Sequence, residues 1–380
     1  MRYHGVLDHD THLSSRNTCI DVFRSLALLT IFINHIPGTV YEYITHKNFG
    51  FSDSSEVFVL LSGVSLGLSY NTHLHRQSFT FIVCKLWRRA CQLYGAHLFT
   101  TFVTLSIFIG AFLLWHVEKL VSMNNIELFV KRPFMAFAST LSFGHQLGYN
   151  NILPLYIVLM IFSPFLLYLA CKQKELLLLG SFTLYLICGL YKIAPPSYPL
   201  SGKWFFNPLS WQFLFVIGLT STLSLQQGNT IAFKPLLVIF SVCYLVLALL
   251  WVRLSWWGIL GWMQWSSPLI NFNKTFLSLP RLLHIIALSS IILCLPCLHN
   301  FFRVSQRHPL VILGRHSLPV FMAGTIFAMF GQVLKTVMTG TFFFDSILII
   351  SGIVGQFCVA YYCERRRFSY QFSSKKRICS

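Results

Sequence analysis

Acidic charge is scarce in this sequence. Only 11 of the 380 residues are Asp or Glu, against 29 Lys or Arg, and charged residues together make up 11%. A soluble domain ordinarily carries about 25%. With 55% hydrophobic residues and a mean hydropathy of +0.64, the shortage excludes a water-soluble globular chain. Long linkers, low-complexity blocks and obvious repeats are missing too, so residues 1–380 read as one domain. Residues 1–18 form a polar head holding Asp8 and Asp10. It lacks a cationic start followed by an apolar run, so no cleaved signal peptide is expected. Its histidines, His4, His9 and His12, read as a solvated tail rather than a metal site. The 11 cysteines are scattered, mostly inside apolar runs, as small packing residues rather than disulfides or metal ligands. No metal is expected.

What the chain does hold is apolar sequence in bilayer-crossing lengths. Runs lie at 19–36, 54–71, 93–115, 151–171, 175–191, 208–226, 232–251, 281–301, 310–334 and 342–363. Most approach the ~20 residues a spanning helix needs. They predict an all-α polytopic bundle of about ten helices with both termini on one face. With the termini inside, 19 of the 29 Lys and Arg fall in inner segments and ten in outer ones. The positive-inside rule then puts both termini in the cytoplasm. The basic tail at 364–380 becomes a signal for topology and anionic lipid, and nucleic acid is not the partner of this +18 chain.

The first two runs carry Asp21, Arg24, Asn34, His35 and Glu56. Ionisable groups inside membrane-length spans are costly and usually have a task. Arg24 and His35 are eleven positions apart. At about 100° and ~1.5 Å per residue, they leave the same face of a helix roughly 16 Å apart along its axis. Pro37-Gly38 ends that helix just past the histidine. Asp21 stands i,i+3 to Arg24. Glu56 opens the second run on the outer side, where His35 closes the first. Gly63 and Gly67 make a small-xxx-small step for a neighbouring helix. Ser62 has no glycine elbow or paired base around it.

On the inner side, Lys85, Arg88 and Arg89 precede the third run and Arg315 opens the ninth. With Arg24 they read either as topology residues or as forks for a polyphosphate. On the outer side, the loop at 37–53 carries Glu42, His46, Lys47, Asn48, Ser52 and Asp53. It is either a solvated loop or a polar ring for a hydroxylated molecule. The apolar piece from Phe134 to Phe143 is too short to cross and reads as a helix at the outer face. Tyr156, Lys203, Asn207, Trp211 and Gln212 suit either sugar binding or an aromatic belt. Five tryptophans between Trp251 and Trp265 mark an interfacial segment.

Arg24 and His35 resemble the Arg-x10-His motif of the membrane acyltransferase superfamily that acylates exported polysaccharides. Glu-Val-Phe-Val-Leu-Leu-Ser-Gly at 56–63 is similar to that superfamily's Phe-Phe-x-x-Ser-Gly element. More closely, the chain resembles the OpgC family of periplasmic glucan succinyltransferases. The matching stretches are 21–29, 48–53, 152–159, 206–212 and 313–321, in order along nearly the whole length. The resemblance implies a ten-helix enzyme of the bacterial inner membrane with no permanently bound cofactor. It implies a cytoplasmic acyl-CoA donor, succinyl-CoA foremost, and a periplasmic glucan acceptor. Arg24, Arg88, Arg89 and Arg315 would hold the CoA phosphates. His35 would be general base or, alternatively, carry the acyl group, with Glu56 orienting its ring and Asn34 donating to the oxyanion. Asp53, Asn48, Tyr156, Asn207, Trp211 and Gln212 would face the glucan. A free succinyl carboxylate would need an outer cation, with Lys47, Arg132 and Lys203 as candidates.

Two other classes compete. A transporter would suit ten helices with intramembrane charges, but no inverted repeat is evident. An assembly protein would have no use for Arg24 and His35 in register. Within enzymes, an O-acetyltransferase of another envelope polysaccharide is the rival.

Overall fold

The computed structural model describes residues 17–70, 77–227, 235–257, 267–338 and 340–378. The head histidines and Trp262 and Trp265 lie outside them. The described chain is α-helical, with one isolated antiparallel bridge between Pro196 and Lys203. In order the helices are α1 (Thr18–Asn34), α2 (Ser54–Ser69), α3 (Phe79–Trp115), α4 (Lys119–Ser122), α5 (Glu127–Lys131) and α6 (Pro133–Leu141). There follow α7 (Ile152–Lys172), α8 (Lys174–Leu190), α9 (Pro208–Gln226), α10 (Pro235–Arg253), α11 (Leu279–Cys294), α12 (Pro296–Phe301), α13 (Pro309–Arg315), α14 (Ser317–Val337) and α15 (Phe342–Ile378).

All ten expected runs are helical over most of their length. Among the described residues six helices are long and apolar enough to cross a membrane: α3, α7, α9, α10, α14 and the Phe342–Arg367 part of α15. The protein is therefore a membrane protein. α1, α2, α8 and α11 have 16 or 17 residues each.

Three boundaries differ from expectation for local reasons. α3 begins at Phe79 rather than 93, because Ser78 caps it and accepts from the Phe81 N–H at 3.3 Å. Lys85, Arg88 and Arg89 therefore sit on helix, not loop. The ninth run breaks at His316 into α13 and α14. Pro319 has no N–H, and its ring would meet the Arg315 carbonyl one turn back. The eighth run breaks at Leu295, which is extended (φ −102°, ψ 101°) ahead of Pro296. That break falls inside Cys294-Leu295-Pro296-Cys297, whose two thiols are free.

Glycines set the closest packing. A Cβ on Gly63 of α2 would lie 2.0 Å from the Phe215 carbonyl oxygen of α9, and one on Gly218 of α9 would lie 2.4 Å from the Leu60 carbonyl oxygen. Each helix thus seats the other's backbone, as the small-xxx-small step implied. α1 runs between two apolar clusters. Leu28 belongs to one, built around Trp211, Phe215 and Tyr185, and Phe32 and Ile36 belong to the other, with Phe108, Phe129 and Met329.

Candidate active site

Two cavities open along α1, one at each of its charged positions. The first, of about 560 Å³, is lined by Arg24, Lys85, Arg88, Arg89 and Arg315, with Ser317 at the start of α14. No Asp or Glu is among its lining residues. Arg24 is held 3.5 Å from Asp21 and donates to the Ser65 hydroxyl. Arg315 is ion-paired with Glu364, which also binds His316 Nε2 at 2.6 Å. Arg89 reaches Gln92 at 3.2 Å, and among the described residues no carboxylate pairs with Lys85, Arg88 or Arg89. Five cations and a helix N-terminus line this cavity, and three of the cations have no carboxylate partner among the described residues, an arrangement that attracts anions.

The second cavity, of about 700 Å³, holds Asn34, His35, Asp53, Lys47, Lys203 and Lys274. His35 caps the C-terminus of α1 and its ring lies 4.6 Å from that of Tyr149. Its carbonyl accepts from Gln332 Nε2 at 2.6 Å. Its Nδ1 is sealed from solvent and has no hydrogen-bond partner among the described residues. Asn34 Oδ1 accepts from the Thr45 hydroxyl at 2.8 Å, so its amide N–H groups remain to donate.

Asp53 anchors the far wall. It caps α2 in a reciprocal capping box: its Oδ1 accepts from Ser55 N–H at 2.8 Å, and its own N–H donates to Glu56 Oε2 at 2.9 Å. Asp53 Oδ2 meets Lys274 and, at 3.1 Å, Arg281 Nη2. Burial would raise this carboxyl, but Lys274 and then Arg281 outweigh it and hold it well below the usual carboxylate range. Arg281 Nε also donates to Glu56 Oε1 at 2.7 Å. Lys47 is paired with Glu42. The two cavities share two lining residues, Ile152 of α7 and Phe321 of α14.

A family model described as OpgC protein matches residues 16–368. The chain belongs to the OpgC family. Comparison with curated proteins and with solved structures gave no match. The OpgC family is one of glucan-modifying acyltransferases, and that general activity is the chain's.

Within this OpgC-family chain, the expected cations Arg24, Arg88, Arg89 and Arg315 share one cavity, and Asn34, His35 and Asp53 share the other. Other expected placements differ. Glu56 does not touch the His35 ring. It is fully buried and committed to Arg281 and the Asp53 N–H, because its position three residues into α2 is that of a capping-box partner. Tyr156 lines the cation cavity rather than the one that holds His35, edge-on to Phe58 at 5.6 Å. Asn48 bonds the Glu42 carbonyl at 2.7 Å within its own loop. Asn207, Trp211 and Gln212 lie off both cavities. Asn207 caps α9 and also donates to the Ile193 carbonyl at 2.8 Å. Trp211 is fully buried and donates to the Lys274 carbonyl at 3.0 Å. Gln212 ties α9 to Ser181 of α8. Arg132 ends α5 away from both cavities.

Sequence reasoning missed Lys274 and Arg281. Arg281 opens an apolar run, and a cation in that position was a signal that a carboxylate waits nearby. Gly63-Val64-Ser65-Leu66-Gly67 has the spacing of a nucleophile elbow, yet it is continuous helix. Ser65 Oγ donates to the Leu61 carbonyl at 2.6 Å and accepts from Arg24. The glycines serve packing, not a strained turn.

Proposed function

We propose that this chain is a bacterial inner-membrane O-acyltransferase, with both termini cytoplasmic, that moves a succinyl group from cytoplasmic succinyl-CoA to a hydroxyl of a periplasmic glucan. The observation that carries the reading is the pair of abutting cavities, cationic around Arg24 and polar around His35, joined at Ile152 and Phe321. CoA bears several phosphates, and Lys85, Arg88 and Arg89, which no carboxylate among the described residues pairs with, have guanidinium and ammonium groups to meet them. The ~16 Å rise from Arg24 to His35 is of the order an extended pantetheine arm covers.

His35 acts as general base through Nε2. The glucan hydroxyl oxygen attacks the thioester carbonyl while Nε2 takes its proton. The C–S bond then breaks, and the proton passes from the imidazolium to the departing CoA sulfur. Asn34 donates to the oxyanion that forms between these steps. Among the described residues no carboxylate is bonded to the ring, and Asp53, the carboxylate that shares its cavity, is already paired with Lys274 and Arg281.

The test is mass spectrometry of periplasmic glucans from cells lacking the protein, complemented with wild type or His35→Ala. Succinyl-sized additions restored by wild type and not by His35→Ala are the expected result. Acetyl-sized additions would replace the donor, and restoration by His35→Ala would remove His35 from the chemistry.

A further inference from the structure

The outer cavity has one positive charge more than it needs. Three lysines line it, and each was free to be neutralised by the fold. Lys47 is paired with Glu42, and Lys274 with Asp53. Arg281, behind the wall, takes Glu56 and the other side of Asp53. Lys203 alone among the described cations of this cluster has no carboxylate. Its ammonium donates to the Lys192 carbonyl and stands 5.7 Å from the centre of the Phe276 ring. One N–H is thereby used and two remain.

The backbone beside it is fixed. Lys203 forms the isolated bridge with Pro196, and the Trp204 N–H donates to the Pro195 carbonyl at 3.0 Å. The side chain is exposed, so its charge is retained at little cost. A cavity with one unmatched, anchored cation favours an occupant with one negative charge. Neither a neutral glucan nor an uncharged acyl chain supplies it. The carboxylate at the far end of a dicarboxylic acyl group does.

We infer that Lys203 is the residue that reads the free carboxylate of the acyl group and so sets the enzyme's preference for dicarboxylic donors. This deepens the succinyl reading above and rests on it. Lys47 and Arg132, the other candidates, fall away, the first because Glu42 already holds it, the second because it lies off the cavity.

The test compares succinyl-CoA with butyryl-CoA, a donor of equal chain length without the charge. Purified full-length protein in lipid nanodiscs is given each donor, with glucan extracted from the periplasm of cells lacking the protein as acceptor. The readout is the ratio of the two kcat/KM values for thioester consumption. Lys203→Met is expected to lower the succinyl-to-butyryl ratio roughly 10- to 100-fold, the worth of a charge-assisted hydrogen bond. Lys203→Arg should keep most of it. Lys47→Met should leave the ratio within about threefold. An equal fall for both donors in Lys203→Met would reduce the residue to a structural one. An unchanged ratio would overturn the assignment while leaving acyl transfer intact. If the wild type consumes neither thioester, the acyltransferase reading itself fails.

Discussion

Arg281→Met should destabilise the protein more than removing either carboxylate that Arg281 serves. Its guanidinium makes two bonds, to Glu56 Oε1 at 2.7 Å and to Asp53 Oδ2 at 3.1 Å. The Glu56 side chain has 0% exposure and Arg281 12%. Removing the cation strips both bonds and leaves the Glu56 carboxylate buried with the Asp53 N–H. Breaking a buried pair from one side costs about 3–5 kcal/mol. Glu56→Gln is milder, at about 1–2 kcal/mol, because the amide oxygen keeps one of the two accepted bonds, only the other is lost to the NH2, and Arg281 keeps Asp53. Adding Glu56→Gln to Arg281→Met should restore part of the loss, since the stranded charge is then gone. Tryptophan fluorescence during thermal unfolding in detergent would rank the three. The midpoint should fall furthest in Arg281→Met, least in Glu56→Gln, and in between for the double variant. A double variant less stable than Arg281→Met would refute the reasoning, because the penalty would not then come from an uncompensated carboxylate.

Gly63→Leu should abolish folded protein on size-exclusion chromatography, as its Cβ meets the Phe215 carbonyl at 2.0 Å. Gly95→Ala, with nothing within 4 Å, should elute as wild type. Asp53 is depressed in the folded state, so its contribution to stability is complete above the unfolded value of about 3.9 and is lost as pH falls through the lowered one. The unfolding midpoint of wild type relative to Asp53→Asn should hold from pH 8 to about pH 5 and narrow only below about pH 4. A difference that closes near pH 6 would count against the ion-pair account. Phe321→Trp should slow transfer without weakening CoA affinity measured by calorimetry, because it thickens the wall between the cavities. Loss of CoA affinity in step with rate would make Phe321 a donor-binding residue instead.

The parts of this architecture that depend on local sequence were legible. The phase of α1 follows from helix geometry, so Arg24 and His35 fall on one face whatever the rest of the chain does. The cations gather because positively charged ends of several runs meet on one side of the bundle. The glycine step of α2 read correctly as packing. The capping box was equally visible in Asp53-x-x-Glu56, although the place of Glu56 at the start of the second run, where His35 closes the first, suggested a catalytic role. Asn207-Pro208 likewise has the signature of a helix start, and its outer-edge position suggested sugar instead. Lys274 and Arg281 were not legible as partners. They come from more than 200 residues away, and partner choice at that separation is settled by how α2, α9 and α11 pack.

The same packing explains why one helix can serve both cavities. α1 is pinned where each cavity meets it. A Cβ on Gly314 of α13 would lie 1.9 Å from the Asp21 carbonyl oxygen, one turn from Arg24. A Cβ on Gly352 of α15 would lie 2.1 Å from the Phe32 ring, one turn before His35. Neither glycine could carry a side chain without displacing α1, because packed interiors tolerate less than a methylene of change. The spacing between Arg24 and His35 is fixed by the one helix that carries both. Across the cavity, Phe321 sits on α14 just beyond the break that Pro319 imposes, and it and Ile152 are the residues that line both chambers. In the proposed reaction, the fixed helix supplies the distance and the opposing side chains supply the passage.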